Sequence, residues 1–303
     1  MSAFAIASAI VFPHLNPTDF GLRLMIMIFV YSTLAESWNI IGGYTGYFSF
    51  GQTTFFGIGA YTAAILLRDY DLSPFLTAPL GGVLAMAVAI GVGMITLRLR
   101  GAYFTISTYV IMLTATVLAN NLIWLTGGGR GMALAIPTIP IHLFLVIIYY
   151  VMLALLLLNI FVVNRIVNSN FGLGLASIRE NEGAAEVMGV NTVRYKAYAY
   201  AISAFFPAVV GAVWAYDMSY IYPITVFDMG IEILVIVMVI FGSACTIAGP
   251  LIGGVVLILL REMLRFTLVE SGPLYLIIFG MLLVVVVIFM PEGVVKRLAR
   301  KRG

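Results

Sequence analysis

Charge is scarce in this chain. Asp, Glu, Lys and Arg make up 10% of its 303 residues, against about a quarter in ordinary soluble domains, so a soluble globular domain is excluded. Cysteine is almost absent: Cys245 stands alone, in a run of small residues, which rules out an internal disulfide framework and reads as a small packed side chain. The two histidines, His14 and His142, are isolated, with no HExxH or Cys/His cluster, so neither metal nor cofactor is expected. No GxxxxGK[ST] occurs. The Gly-rich "TGGGRGM" (126–132) lacks the Lys-Ser/Thr ending that cradles phosphates. A GxSxG nucleophile elbow is missing too, and the chain is not expected to be an enzyme. The opening "MSAFAIASAIVF" has no Lys or Arg before its apolar run, which makes it a poor signal peptide. Segment 3–12 is short for a span and reads as a partial first helix.

What is present is oil. Hydrophobic residues make up 62% of the chain and the mean hydropathy is +1.10. Several runs approach the ~20 residues that cross a hydrocarbon core. Candidate spans fall at 20–42, 48–67, 75–97, 102–125, 142–163, 195–215, 229–244, 249–267 and 273–290. They lack the alternation of a membrane β-barrel, which leaves helices as the spanning structure. The expected fold is an all-α polytopic integral membrane protein, a single permeating domain over 1–303, with roughly eight to ten transmembrane or re-entrant helices. Its longest hydrophilic break is 164–194.

Lys and Arg give the orientation. If the C-terminal "KRLARKRG" is cytoplasmic, alternation puts 98–101, 164–194 and 245–248 on the same side. Eleven of the 16 basic residues then gather there, leaving Arg23, Arg68, Arg130, Arg261 and Arg265 elsewhere. Small-residue runs such as "GIGAYTAA" (57–64) and the Gly249/Gly253 GxxxG pair suit close helix approach.

Ionisable and polar side chains inside a span are costly, and each marks a candidate site. Glu36 lies mid-span in "TLAESWNIIGG", with Asn39 beside it; Glu232 opens another span. Asn120 and Asn121 interrupt "TVLANNLIW", and "GYTGYFSFGQTTFFGIGAY" (43–61) sets Gln52, Thr53 and Thr54 at membrane depth. Gly-rich polar interruptions of this kind mark broken helices lining a pathway. The same residues also suit plain inter-helix hydrogen bonding.

The segment "SIRENEGAAEVMG" (177–189) stands out by charge: Arg179, Glu180, Glu182 and Glu186 crowd around Ala184, Ala185 and Val187. Ser177 with Glu180 matches a capping box, and Gly189 is placed as a stop, so a three-turn helix is expected over 178–188. A helix this short is marginal alone in water and needs a docking surface or a membrane face to rest on.

The stretch from Ser177 to Ala215 resembles the permease subunits of branched-chain amino acid ABC transporters, the LivM type. The resemblance continues in "NIIGGYTGYFSFGQTTFFGIGAYTAAIL" (39–66), "LRLRGAYFTISTYVIMLT" (97–114), "LTGGGRGM" (125–132) and "VIFGSACTIAGPLIGGVVLILLREMLR" (239–265), in the same order over about 230 residues. It implies a non-catalytic subunit of an ATP-driven importer in a prokaryotic plasma membrane. Implied partners are a homologous LivH-type permease, two ATP-binding subunits, an external solute-binding protein and the lipid bilayer, with no nucleic acid. It also implies an ATPase-coupling segment with the core E-A-A-x-x-x-G. Ala184, Ala185 and Gly189 fit that core; Gly183 takes the acidic position, with Glu182 one residue earlier. Gln52, where relatives usually carry His, and the aromatic "YFSF" (47–50) depart from the pattern, which leaves urea or short amides open as substrates beside branched-chain amino acids. From the residues alone, an autonomous secondary transporter or channel also fits.

Overall fold

The computed structural model describes residues 3–15, 17–135, 139–268, 274–289, 293, 294 and 297. Its longer helices fall on the nine apolar runs. In chain order the helices are α1 (Ala3–Val11), α2 (Asp19–Asn39), α3 (Gln52–Tyr70), α4 (Pro74–Thr96), α5 (Ala102–Asn121), the one-turn α6 (Ile123–Thr126), α7 (Ile141–Val167), α8 (Asn170–Glu180), α9 (Glu182–Val187), α10 (Thr192–Met218), the one-turn α11 (Pro223–Val226), α12 (Met229–Gly242), α13 (Ala248–Thr267) and α14 (Leu274–Phe289). Among the described residues, six segments are long and apolar enough to cross a bilayer: Asp19–Tyr44, Pro74–Thr96, Ala102–Asn121, Ile141–Val167, Thr192–Met218 and Pro223–Gly242. The chain is an all-α, multi-pass membrane protein.

Helix α1 has nine residues, about 13 Å at 1.5 Å per residue, well short of a span. It lies against α7, where Tyr149 and Tyr150 donate hydroxyls to the carbonyls of Ala9 (2.6 Å) and Ile10 (3.1 Å).

The centre of the molecule is α10, packed along α3, α4 and α2. Small residues set that crossing. A Cβ added at Gly59 would fall 1.8 Å from the Ala208 carbonyl oxygen, and one at Gly211 2.2 Å from that of Phe56. Without a hydrophobic drive between helices in lipid, backbone contact of this kind provides the packing. Gly253 works the same way on α13, its bare Cα facing the Met238 carbonyl of α12.

Two departures from the sequence reading have clear causes. Residues 178–188 are not one helix capped by Ser177. Ser177 sits inside α8, which begins at the cap Ser169, and its hydroxyl donates to the Gly174 carbonyl at 2.8 Å. The chain breaks at Asn181 (φ −160°, ψ 108°), whose side chain accepts from the Ala184 amide at 3.0 Å and starts α9. Asn is as good an N-cap as Ser, and this one prevails. The second departure follows α2, which winds into a wider π-turn over Ile40–Tyr44 before the chain leaves helical geometry.

The loops that charge counting put on one side meet at one end. Arg100, Glu182, Glu186, Lys196 and the Leu97 carbonyl share contacts there, and Arg179 reaches Cys245. At the far end the 127–134 loop pairs with the exit of α10, as Met132–Ala133 lies antiparallel to Tyr220–Ile221. The last basic cluster, at Lys296 and Arg300–Arg302, lies outside the described residues.

Candidate functional site

Helix α9 ends in a Schellman turn. Gly189 takes φ +88°, and the amides of Gly189 and Val190 donate to the carbonyls of Glu186 and Ala185, each at 3.0 Å. This bond pair satisfies the carbonyls a helix end leaves free, and it favours glycine in the left-handed position.

Beneath α9 lies a buried polar knot. Lys196, 1% exposed, directs its ammonium to Glu182 Oε1 at 2.6 Å, the Leu97 carbonyl at 2.9 Å and the Tyr47 hydroxyl at 3.0 Å. All three of its protons are thereby used. The Tyr47 hydroxyl in turn donates to Glu182 Oε2, and Arg100 Nε stands 3.5 Å from the same oxygen. Burial alone would raise the Glu182 carboxyl. Hydrogen bonds from Lys196 and Tyr47, with the charges of Lys196 and Arg100, overcome it and hold the group below its ordinary value. Glu186 accepts from Thr192 at 2.8 Å, and Arg179 spans Cys245 Sγ and Glu180, each at 2.8 Å. Ile178 and Ala185 are buried.

The outer face of this lever is different. Val187 is 89% exposed and Met188 84%, with Ala184, Gly183 and Glu180 exposed beside them. Two large apolar side chains therefore project from a helix whose other side is fixed by charge.

The second region is the break between α2 and α3. Irregular backbone at membrane depth must have its polar groups satisfied by protein, and here side chains supply the bonds. Trp38 Nε1 donates to the Ser49 carbonyl at 2.8 Å, Thr105 to the Phe48 carbonyl at 3.0 Å, and the Phe50 amide to Thr108 at 2.9 Å. Glu232 of α12 accepts from the Thr53 amide at 2.8 Å, which sets a carboxylate on the positive end of α3. Asn39 clamps the 243–247 turn, donating to the Thr246 carbonyl (3.1 Å) and accepting from the Cys245 amide (3.0 Å). Tyr47 belongs to this break as well as to the knot, so the lever and the break are in direct contact.

Several polar atoms in this region find no partner among the described residues. Both carboxyl oxygens of Glu36, both amide atoms of Gln52, the hydroxyls of Thr53 and Thr54, and Glu232 Oε1 are buried without a hydrogen bond. Glu36, Asn39, Gln52, Thr53 and Glu232 thus share the buried interior at the α2, α3 and α12 junction. Asn120 and Asn121 do not join them. They lie exposed at the end of α5, each donating to a carbonyl of its own preceding turn at 2.9 and 2.8 Å. Sequence reading did not single out Tyr47, Arg100 or Lys196. Of these only Lys196 carried a signal, as a lone ammonium opening an apolar span.

Comparison with known proteins settles the class. Residues 20–287 match the family model described as branched-chain amino acid transport system / permease component. The chain belongs to this family. It is similar to the high-affinity branched-chain amino acid transport system permease protein LivM of Salmonella typhimurium (strain LT2), 27% identical over 299 residues, or 90% of this chain and 69% of that protein. It is similar also to LivM of Escherichia coli (strain K12), 27% identical over 290 residues, covering 87% and 67% respectively. No solved structure matches. This family member is thus a permease component, one part of a multi-component transport system, and the polar knot and the α2–α3 break are structural features of a transport subunit.

Proposed function

We propose that this permease carries branched-chain amino acids inward across a prokaryotic plasma membrane in an ATP-driven importer, and that α8–α9 is where ATP-binding subunits dock. The observation that carries the docking reading is the two-faced lever: Val187 and Met188 stand free while Glu182 anchors the helix to buried Lys196. In the docking module, Glu182, Glu186, Arg179 and Ser177 hold the lever to its own chain, Ala185 packs beneath it and Gly189 shapes its end. Glu180, Ala184, Val187 and Met188 meet the partner. The end bearing this lever, and with it the C-terminus, faces the cytoplasm. A homologous LivH-type permease, two ATPases and an external solute-binding protein complete the assembly, and this chain does no catalysis itself.

Coupling requires that the partner contact the lever differently in its two nucleotide states. Movement of α9 reaches the membrane through the Glu182–Tyr47 bond into the 45–51 break, whose far side is the Glu232-capped start of α3. Glu36, Asn39, Gln52, Thr53 and Glu232 line or shape the pathway there, and Asn120 and Asn121 lie outside it. The deciding experiment is copurification of tagged chain from its host. ATPase subunits are expected to follow the native chain, and ATP-driven uptake of leucine, isoleucine and valine is expected to exceed uptake of urea. A chain that purifies alone and transports in liposomes on an ion gradient would refute the importer reading.

A further inference from the structure

At the end opposite the lever, α2, α10, α12 and α13 enclose a cavity of about 400 Å³, within the range of small-molecule sites. Lys196 and Asp217 are 21 residues apart on α10, so the cavity lies about 30 Å from the docking knot. Its walls are aliphatic and aromatic, with Leu24, Met27, Val30, Leu34 and Trp214 among them. Charges of both signs converge on it: Arg23, Asp217, Asp228, Arg261, Glu262 and Arg265.

Most of these charges are engaged. Arg261 donates to the Tyr31 hydroxyl at 3.2 Å, Arg265 pairs with Glu262 at 3.3 Å, and Asp228 caps the start of α12 through the Gly230 amide at 2.8 Å. Asp217 and Arg23 face only each other, in a long ion pair. The Asp217 side chain is 5% exposed, yet its Oδ1 stands 3.7 Å from Arg23 Nη1, beyond hydrogen-bond reach. That oxygen accepts no hydrogen bond among the described residues. A buried carboxylate oxygen without a donor requires an explanation. Here it lies beside a guanidinium that has no closer partner among the described residues, at the head of an apolar chamber.

We propose that this cavity is a binding site for a zwitterionic α-amino acid with an aliphatic side chain, its ammonium on Asp217, its carboxylate on Arg23, and its side chain against Leu24, Met27 and Val30. The long Arg23–Asp217 gap suits a head group that carries both charges on groups attached to one carbon, and a neutral solute such as urea brings no countercharge to either side chain. The site would receive solute at the outer mouth of the permease. This assignment rests on the importer reading and adds a location and a head-group chemistry to it.

The test uses the assembled transporter without its solute-binding protein, so that discrimination belongs to the permease. Labelled leucine binding is measured for wild type, Asp217→Asn, Asp217→Glu and Arg23→Gln, with 4-methylpentanoate and isopentylamine as competitors that each lack one charge. Expected are losses of about tenfold or more in leucine affinity for Asp217→Asn and Arg23→Gln, as befits a charge-assisted hydrogen bond. Recovery in Asp217→Glu and weak competition by both half-charged analogues are also expected. Because Arg23 is nearly half exposed, its variant tests the site without burdening folding. Leucine affinity within twofold of wild type in both variants, in a complex that imports leucine with ATP once the solute-binding protein is restored, would overturn the site and leave the importer standing. With the solute-binding protein restored, a wild-type complex with no ATP-driven amino acid uptake would remove the importer reading itself, and the site with it.

Discussion

The knot beneath α9 and the chamber at the opposite end are both charged clusters in an oily protein, and they are built in opposite ways. All three hydrogen bonds of the Lys196 ammonium are 3.0 Å or shorter. Around Asp217 the opposing charges stand 3.7 Å apart and a buried oxygen is left open. Full satisfaction makes a polar network rigid, whereas a partly satisfied one leaves room for something else to bind. On the proposed reading, a lever that passes on force needs the first kind, and a chamber that holds and releases a solute needs the second. The α2–α3 break combines them: Trp38, Thr105, Thr108 and Glu232 bond its backbone at Ser49, Phe48, Phe50 and Thr53, while the side chains of Gln52, Thr53 and Glu36 are left without partners among the described residues.

If the knot is structural in this sense, breaking it should cost the most. Lys196→Met removes three hydrogen bonds and leaves Glu182, 13% exposed, with only Tyr47 and the longer Arg100 contact to hold its charge. Removing one partner of a buried pair typically costs about 3–5 kcal/mol, so detergent-solubilised protein should show a sharply lowered melting temperature and little assembled complex. A Lys196→Met chain with native melting would dissolve the contrast between the two regions.

The outer face of the lever should behave in reverse. Val187→Asp with Met188→Asp alters exposed positions, where stability changes are within about 0.5 kcal/mol, yet ATPase copurification and uptake should be lost. Retained copurification would mean that the contact lies elsewhere.

Acid sharpens the comparison further. The Glu182 carboxyl sits below its ordinary value in the folded chain, so its contribution is present above the unfolded value, near 4.3, and is lost as pH falls through the lower folded value. Melting temperature followed downward from about pH 5 should drop more for wild type than for Glu182→Gln, which has no such charge to lose. Parallel curves would contradict an ionic knot.

The smallest effect is expected at Asn120 and Asn121. Each side chain bonds only a carbonyl of its own helix, and Ala at either position should cost less than about 0.5 kcal/mol. A large loss of uptake without loss of folding would return them to the pathway in the assembled importer.

Hydropathy was sufficient for the nine apolar helices because lipid leaves helix as the way to satisfy their backbones. Charge counting brought 98–101, 164–194 and 245–248 together for an equally general reason. Local pattern failed at Asn181. Ser177-x-x-Glu180 and Asn181-x-x-Ala184 are both plausible starts, and the choice depends on Ser169 having already begun α8. The knot was beyond local reading altogether, since Tyr47 lies 149 residues from Lys196 and 135 from Glu182. Nothing near Tyr47 in sequence points to either.

The most direct measurement is sidedness with and without the partner. A cysteine at Met188, in a Cys245→Ser background, should react with a membrane-impermeant maleimide in inverted membranes and not in intact cells. Restoring the ATPase subunits should protect it. Labelling from the outside of intact cells would contradict a lever driven from the cytoplasm.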